Sequence, residues 1–172
     1  MQERKGIITF GGKHMTLLGP NLNVGDKAPS FILQANDLSR KSLATYEGKV
    51  LILSVVPSLD TGVCDLQTRR FNNEASSIGS HVRILTISCD LPFAQKRWCG
   101  AVGVDNLETL SDHYDLNFGI TYGVAIKELR LLTRAVFVIG KDGIIAYKQI
   151  VPVVSEEVDF QAALDAAKSA AQ

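Results

Sequence analysis

Apolar and polar positions along this chain change period several times, and each change marks the edge of an element. Residues 50–56, Val-Leu-Ile-Leu-Ser-Val-Val, form an almost unbroken apolar and β-branched run, the pattern of a strand buried on both faces. Pro57 follows and has no N–H to give to a sheet ladder, so the strand stops there. Beyond it, Leu66, Phe71 and Ala75 recur near helical spacing, and no proline interrupts the chain as far as Ile78. This predicts a helix with Asp60 or Thr61 at its N-cap. A second strand is predicted over residues 82–88, followed by a helix from Pro92 towards Cys99. Two consecutive βα units imply parallel central strands joined by right-handed crossovers.

The flanks carry turn chemistry. Residues 6–10 and 14–18 surround Gly11-Gly12-Lys13 and predict an N-terminal β-hairpin added to the main fold. Residues 24–29 read as a loop, residues 30–34 as a short strand, and residues 43–46 as a helical turn before Gly48. A looser stretch holds residues 105–110 and 114–118. A strand over residues 134–139 then turns at Gly140-Lys141-Asp142-Gly143 into an antiparallel strand over residues 144–150. Residues 156–171 make a last helix with Phe160, Ala163, Leu164 and Ala167 on one face.

Length changes the picture first. At 172 residues a chain buries about 70% of the surface its unfolded form exposes, so no disulfide framework is needed to hold it. No repeat or linker divides it, which predicts one domain over residues 1–172 with the hairpin, residues 1–20, as an extension. The three cysteines, Cys64, Cys89 and Cys99, are odd in number and sparse, which predicts reduced thiols in a cytoplasmic protein. The N-terminus has charges but no long apolar stretch, so neither an export signal nor a membrane segment is expected. Eighteen Lys and Arg against eighteen Asp and Glu remove the electrostatic basis for holding a nucleic acid.

The position of Cys64 is the chemical signal. It falls in the first turn of a predicted helix, where unpaired backbone N–H groups and the helix dipole favour an anionic sulfur. A thiol–disulfide exchange protein would carry a second cysteine three residues on, but Cys64 is followed by Asp65, Leu66 and Gln67. A metal-binding module would cluster its ligands, whereas His14, His81 and His113 are dispersed.

A βαβα half followed by a hairpin and a helix resembles the α/β thioredoxin-like fold, a central mixed sheet flanked by helices. The spacing Pro57-x-x-x-Thr61-x-x-Cys64 resembles the peroxidatic motif of the peroxiredoxins. Residues 57–64 as a whole, Thr68-Arg69-Arg70-Phe71-Asn72 and the run from Asp90 to Gly100 resemble the bacterial thiol peroxidases, the atypical two-cysteine branch. The likeness extends to Gly25-Asp26-x-Ala28-Pro29-x-Phe31, Thr109-Leu110-Ser111-Asp112 and Thr133-Arg134-Ala135. It implies that Cys64 attacks hydrogen peroxide or an organic hydroperoxide and becomes a sulfenic acid. It further implies that Cys99 resolves this acid as an intramolecular disulfide, that thioredoxin is the reductant, and that the chain forms a homodimer without a bound cofactor.

Within that resemblance Thr61 presents a hydroxyl beside the sulfur, Arg134 supplies a permanent charge, and Pro57 shapes the loop and shields the sulfur. Cys89 is expected to be a spectator core thiol, although the family more commonly has a small non-thiol residue there, so bonds to Cys89 stay open. Phe93, Trp98, Phe118 and Tyr122 either line an apolar entrance or pack in the core or a dimer contact.

Overall fold

The computed structural model describes residues 1–103 and 107–172; the first two residues of the looser stretch, Asp105 and Asn106, lie outside the described residues. The chain opens with the expected hairpin, β1 (Glu3–Phe10) and β2 (Lys13–Leu18). Gly11 and Gly12 make its turn at φ +56° and +77°, a pair of positive values that only residues without a Cβ adopt freely. β3 (Ile32–Ala35) and β4 (Arg40–Ser42) follow, then a single 3-10 turn over Leu43–Tyr46. The central units are β5 (Val50–Val55), α1 (Gly62–Ile78), β6 (Val82–Ser88), α2 (Pro92–Val102) and β7 (Glu108–Ser111). Then come α3 (Asn117–Thr121), β8 (Ala125–Ile126) and β9 (Leu131–Leu132). The chain closes with β10 (Ala135–Ile139), β11 (Ile145–Ile150) and α4 (Phe160–Ala171).

Among the described residues a seven-stranded sheet runs in the order β11-β10-β5-β6-β7-β3-β4. β5, β6 and β7 are mutually parallel, and the remaining pairings are antiparallel, so the mixed thioredoxin-like sheet is present. Because both crossovers advance in one direction and are right-handed, α1 and α2 lie side by side on one face. On that face Val50, Ile52, Val136 and Val138 pack with Phe71, Phe160 and Leu164. Leu51, Leu53, Leu85 and Phe137 point the other way, into a cluster with Phe31, Phe118 and Tyr122. Successive side chains of a strand alternate in this manner, which is why β5 must be apolar throughout.

Three expectations change. β7 was expected only as a loose stretch, yet it is the third parallel strand. α4 begins at Phe160, four residues later than the helix predicted from residue 156, because Asp159 caps it by accepting from the Ala162 N–H at 2.9 Å. The buried stripe of α1 is Cys64, Gln67, Thr68 and Phe71, while Leu66 is 48% exposed. Of the two roles open to Phe118 and Tyr122, the structure shows core packing: they stack at 4.4 Å between ring centroids.

The hairpin is bound to the body at both ends. β2 pairs with β8, giving a second sheet in the order β1-β2-β8-β9. At its tip, Thr9 donates to the Pro152 carbonyl at 2.8 Å and accepts from the Val154 N–H at 3.0 Å. Near its base the buried Arg4 guanidinium bonds to the carbonyl oxygens of Gly19 and Gly123.

Candidate active site

Pro57 ends β5, and the chain turns through Leu59 and Asp60 into α1, whose N-cap is Thr61 in an extended conformation. The carboxylate of Asp90, at the turn after β6, holds this loop. It accepts from the Ser58 hydroxyl at 2.7 Å, the Leu59 N–H at 2.8 Å and the Ser88 hydroxyl at 2.7 Å. Cys64 is thereby fixed in the first turn of the helix, fully buried against Val56, Leu59 and Trp98.

Arg134, immediately before β10, reaches the sulfur. Its Nη2 donates to Cys64 Sγ at 3.1 Å, its Nη1 to Gln67 Oε1 at 2.8 Å and its Nε to the Val154 carbonyl at 2.6 Å. Gln67 in turn donates through Nε2 to Ser54 Oγ at 2.8 Å. The guanidinium is only 2% exposed, and among the described residues it bonds to no carboxylate. A buried cation of this kind is costly without a counter-charge, and the sulfur is the group in contact with it that can ionise. Gln67 and Val154, absent from the expected site, aim the fork of donors. Gln67 was detectable in principle, since it lies three residues after Cys64 on the helix and so shares its face.

An apolar cavity of about 160 Å³ adjoins these groups. Pro57, Thr61, Val63 and Arg134 line it from the body, and Phe10 and Gly11 line it from the hairpin tip. Pro57 is buried. Thr61 is at the cavity, but its hydroxyl donates to the Ser58 carbonyl at 3.3 Å, with no bond to the sulfur among the described residues.

Cys99 does not meet Cys64. All three cysteines are free thiols, and Cys99 sits on an unbroken α2 with its Sγ 3.5 Å from Thr109 Oγ1 on β7. Cys89 packs against the cluster on the opposite face of the sheet, and burial, reinforced by the nearby Asp112 carboxylate, pushes its thiol up to about 12. Among the described residues no three His, Cys, Asp or Glu side chains are grouped to hold a metal ion, and no helix is long and apolar enough to cross a membrane.

A buried helix-start cysteine paired with a buried arginine, where the interior strands β5 and β10 of a thioredoxin-like sheet end and begin, defines a thiol-centred protein of the peroxiredoxin class. The chain belongs to the redoxin family, whose model matches residues 23–164, and within it to the thiol peroxidases. It is 56% identical over 163 residues to a thiol peroxidase of Halalkalibacterium halodurans, covering 95% of this chain and 98% of that protein. It is 54% identical over 162 residues to a thiol peroxidase of Bacillus subtilis, covering 94% of this chain and 96% of that one. A crystal structure of a peroxiredoxin-like protein from Aquifex aeolicus superposes with a TM-score of 0.90 at 35% identity, covering 99% of both chains.

Proposed function

We propose that this protein reduces hydroperoxides at Cys64, and the observation that carries the proposal is the 3.1 Å contact between Arg134 Nη2 and Cys64 Sγ in a buried first helical turn. The ionised sulfur attacks the terminal peroxide oxygen, the O–O bond breaks, and the leaving oxygen takes a proton to depart as water or an alcohol. Cys64 is left as a sulfenic acid. Negative charge moves from sulfur to the leaving oxygen during this step, and the Arg134 fork lies where it can follow that charge. Pro57 excludes water, and Thr61 meets the peroxide from the cavity wall rather than holding the resting sulfur. The apolar cavity suits an organic hydroperoxide.

Cys99 then attacks the sulfenic sulfur, water leaves, and a Cys64–Cys99 disulfide forms for a thioredoxin-type dithiol to reduce. Residues 1–172 act as one domain in this reading, in the cytoplasm, and the exposed Leu66, Leu91 and Phe93 near the active-site loop offer a second copy a surface. The test is a set of serine variants. Cys64→Ser loses peroxide consumption, Cys89→Ser retains it, and Cys99→Ser gives one burst and then accumulates sulfinic acid at Cys64. Sustained thioredoxin-dependent turnover by Cys99→Ser, without a bond to Cys89, refutes the two-cysteine cycle.

A further inference from the structure

A disulfide needs its two Cα atoms within about 7 Å, so on the reading that Cys64 and Cys99 pair, whatever stands between them must move. Side chains one apart on a helix point about 100° away from each other. On α2 that places Trp98 towards α1 and Cys99 towards β7. Trp98 packs against the small cluster that Val56, Leu59 and Cys64 form. Its indole Nε1 donates to Asp65 Oδ1 at 3.1 Å, so the bond joins the residue after one cysteine to the residue before the other. Asp65 is pinned in turn, because its second oxygen takes Arg69 Nε at 2.7 Å. Cys99 is held on the other side. The Thr109 hydroxyl spends its proton on Asn36 Oδ1 at 3.0 Å, which leaves Thr109 Oγ1 to accept from the Cys99 thiol.

We propose that Trp98 and Asp65 are positioning residues of the resolving step: the indole, bonded to the Asp65 carboxylate, holds the dithiol form and must vacate the space beside Cys64 before Cys99 enters it. The chemistry is unchanged by this gate. Cys99 gives up its S–H bond, a sulfur–sulfur bond forms as the sulfenic S–O bond breaks, and the proton leaves with that oxygen as water. What the gate sets is the lifetime of the sulfenic acid, and with it the share of molecules that a second peroxide oxidises to sulfinic acid.

The experiment follows the first-order formation of the Cys64–Cys99 disulfide after one equivalent of hydrogen peroxide, by acid quench and mass spectrometry. That rate does not depend on peroxide concentration, so it is separate from the first attack. Trp98→Phe keeps the ring and removes the donor; Asp65→Ala removes the acceptor and keeps the tryptophan; Asp65→Asn keeps an acceptor oxygen. Loss of one net hydrogen bond should speed disulfide formation about three- to ten-fold in each of the first two variants, and the double variant should be no faster than either. Asp65→Asn should stay near the wild-type rate. Because Trp98 is the sole tryptophan, its fluorescence in wild type and in Asp65→Ala should change in step with the disulfide and not with peroxide loss. Unchanged or slower closure in both Trp98→Phe and Asp65→Ala overturns the gate, as does additive acceleration in the double variant. A wild-type protein that forms no Cys64–Cys99 bond overturns the two-cysteine reading instead.

Discussion

Replacing Gln67 by methionine tests whether Arg134 acts through its aim or merely through its charge. Methionine fills nearly the same volume with no polar atom, so packing beside Cys64 is kept while two bonds vanish: the 2.8 Å bond from Arg134 Nη1 and the 2.8 Å bond to Ser54 Oγ. The first is charge-assisted and lies out of contact with bulk solvent, since Gln67 is 1% exposed. Such a bond contributes about 1.5–3 kcal/mol, and the second, between neutral groups, about 1 kcal/mol. The expected loss of stability is therefore about 3 kcal/mol, which for a chain of this size lowers Tm by roughly 6–12 °C. Arg134 retains the Val154 carbonyl and the sulfur, so its charge stays but its orientation loosens. The burst of peroxide reduction, followed by stopped flow, should slow about ten-fold. Gln67→Glu separates the two effects. A carboxylate there pairs with Arg134, which offsets the loss of stability, yet it competes with the sulfur for the same cation and should slow the burst by more than ten-fold. Wild-type burst rates in both variants would refute the claim that Gln67 aims Arg134.

The remaining predictions concern the surroundings of the site. The Asp112 carboxyl, which accepts the Phe118 and Gly119 N–H groups at 3.0 and 2.8 Å, is pushed up to about 6 by burial, with those two bonds opposing the shift. The folded chain then binds this proton more tightly than the unfolded chain. Its contribution is complete below about pH 4, is lost as pH rises to about 6 and is constant above that, a fall of ~3 kcal/mol relative to Asp112→Asn. Urea midpoints of both proteins at pH 4 and pH 7 measure it, and a pH-independent difference would count against the shift. Asp90→Ala removes the acceptor for Ser58, Leu59 and Ser88 and should cost about 2–4 kcal/mol while exposing Cys64 to alkylation several-fold faster. Alkylation at the wild-type rate would mean that the loop is held by something else.

How much of this was legible in the chain depended on whether buried positions were apolar. β5, β6 and the hairpin carry their burial in Val, Ile and Leu or their turn in paired glycines, and they stand close to where the pattern put them. β7 reads Glu-Thr-Leu-Ser, and its inward Thr109 and Ser111 are satisfied by Asn36 and by the Asp90 carbonyl, contacts that no periodicity reveals. The same holds on α1, where Gln67 and Thr68 take the core face that Leu66 was expected to share. α4 starts late because the Asp159 side chain takes the Ala162 N–H and caps the helix there, which outweighs the helical preference of Glu156 and Glu157. Cys64 and Arg134 were found through the resemblance and do meet; Pro57 and Thr61 share a cavity with Arg134, and the separation of Cys99 is a property of helix orientation that spacing cannot supply.

The tip of the hairpin reaches the support of the guanidinium. Val154 stands with its carbonyl on Arg134 Nε and its N–H on the Thr9 carbonyl, so the first strand supports the guanidinium at one remove, while Phe10 closes the cavity from above. The redoxin match starts at residue 23. A chain cut to that boundary would keep the thiol, its arginine and most of the sheet, and would still be counted a whole member of the family by alignment. It would also have lost one wall of the cavity beside Arg134 and the prop behind the cation that, among the described residues, touches the sulfur.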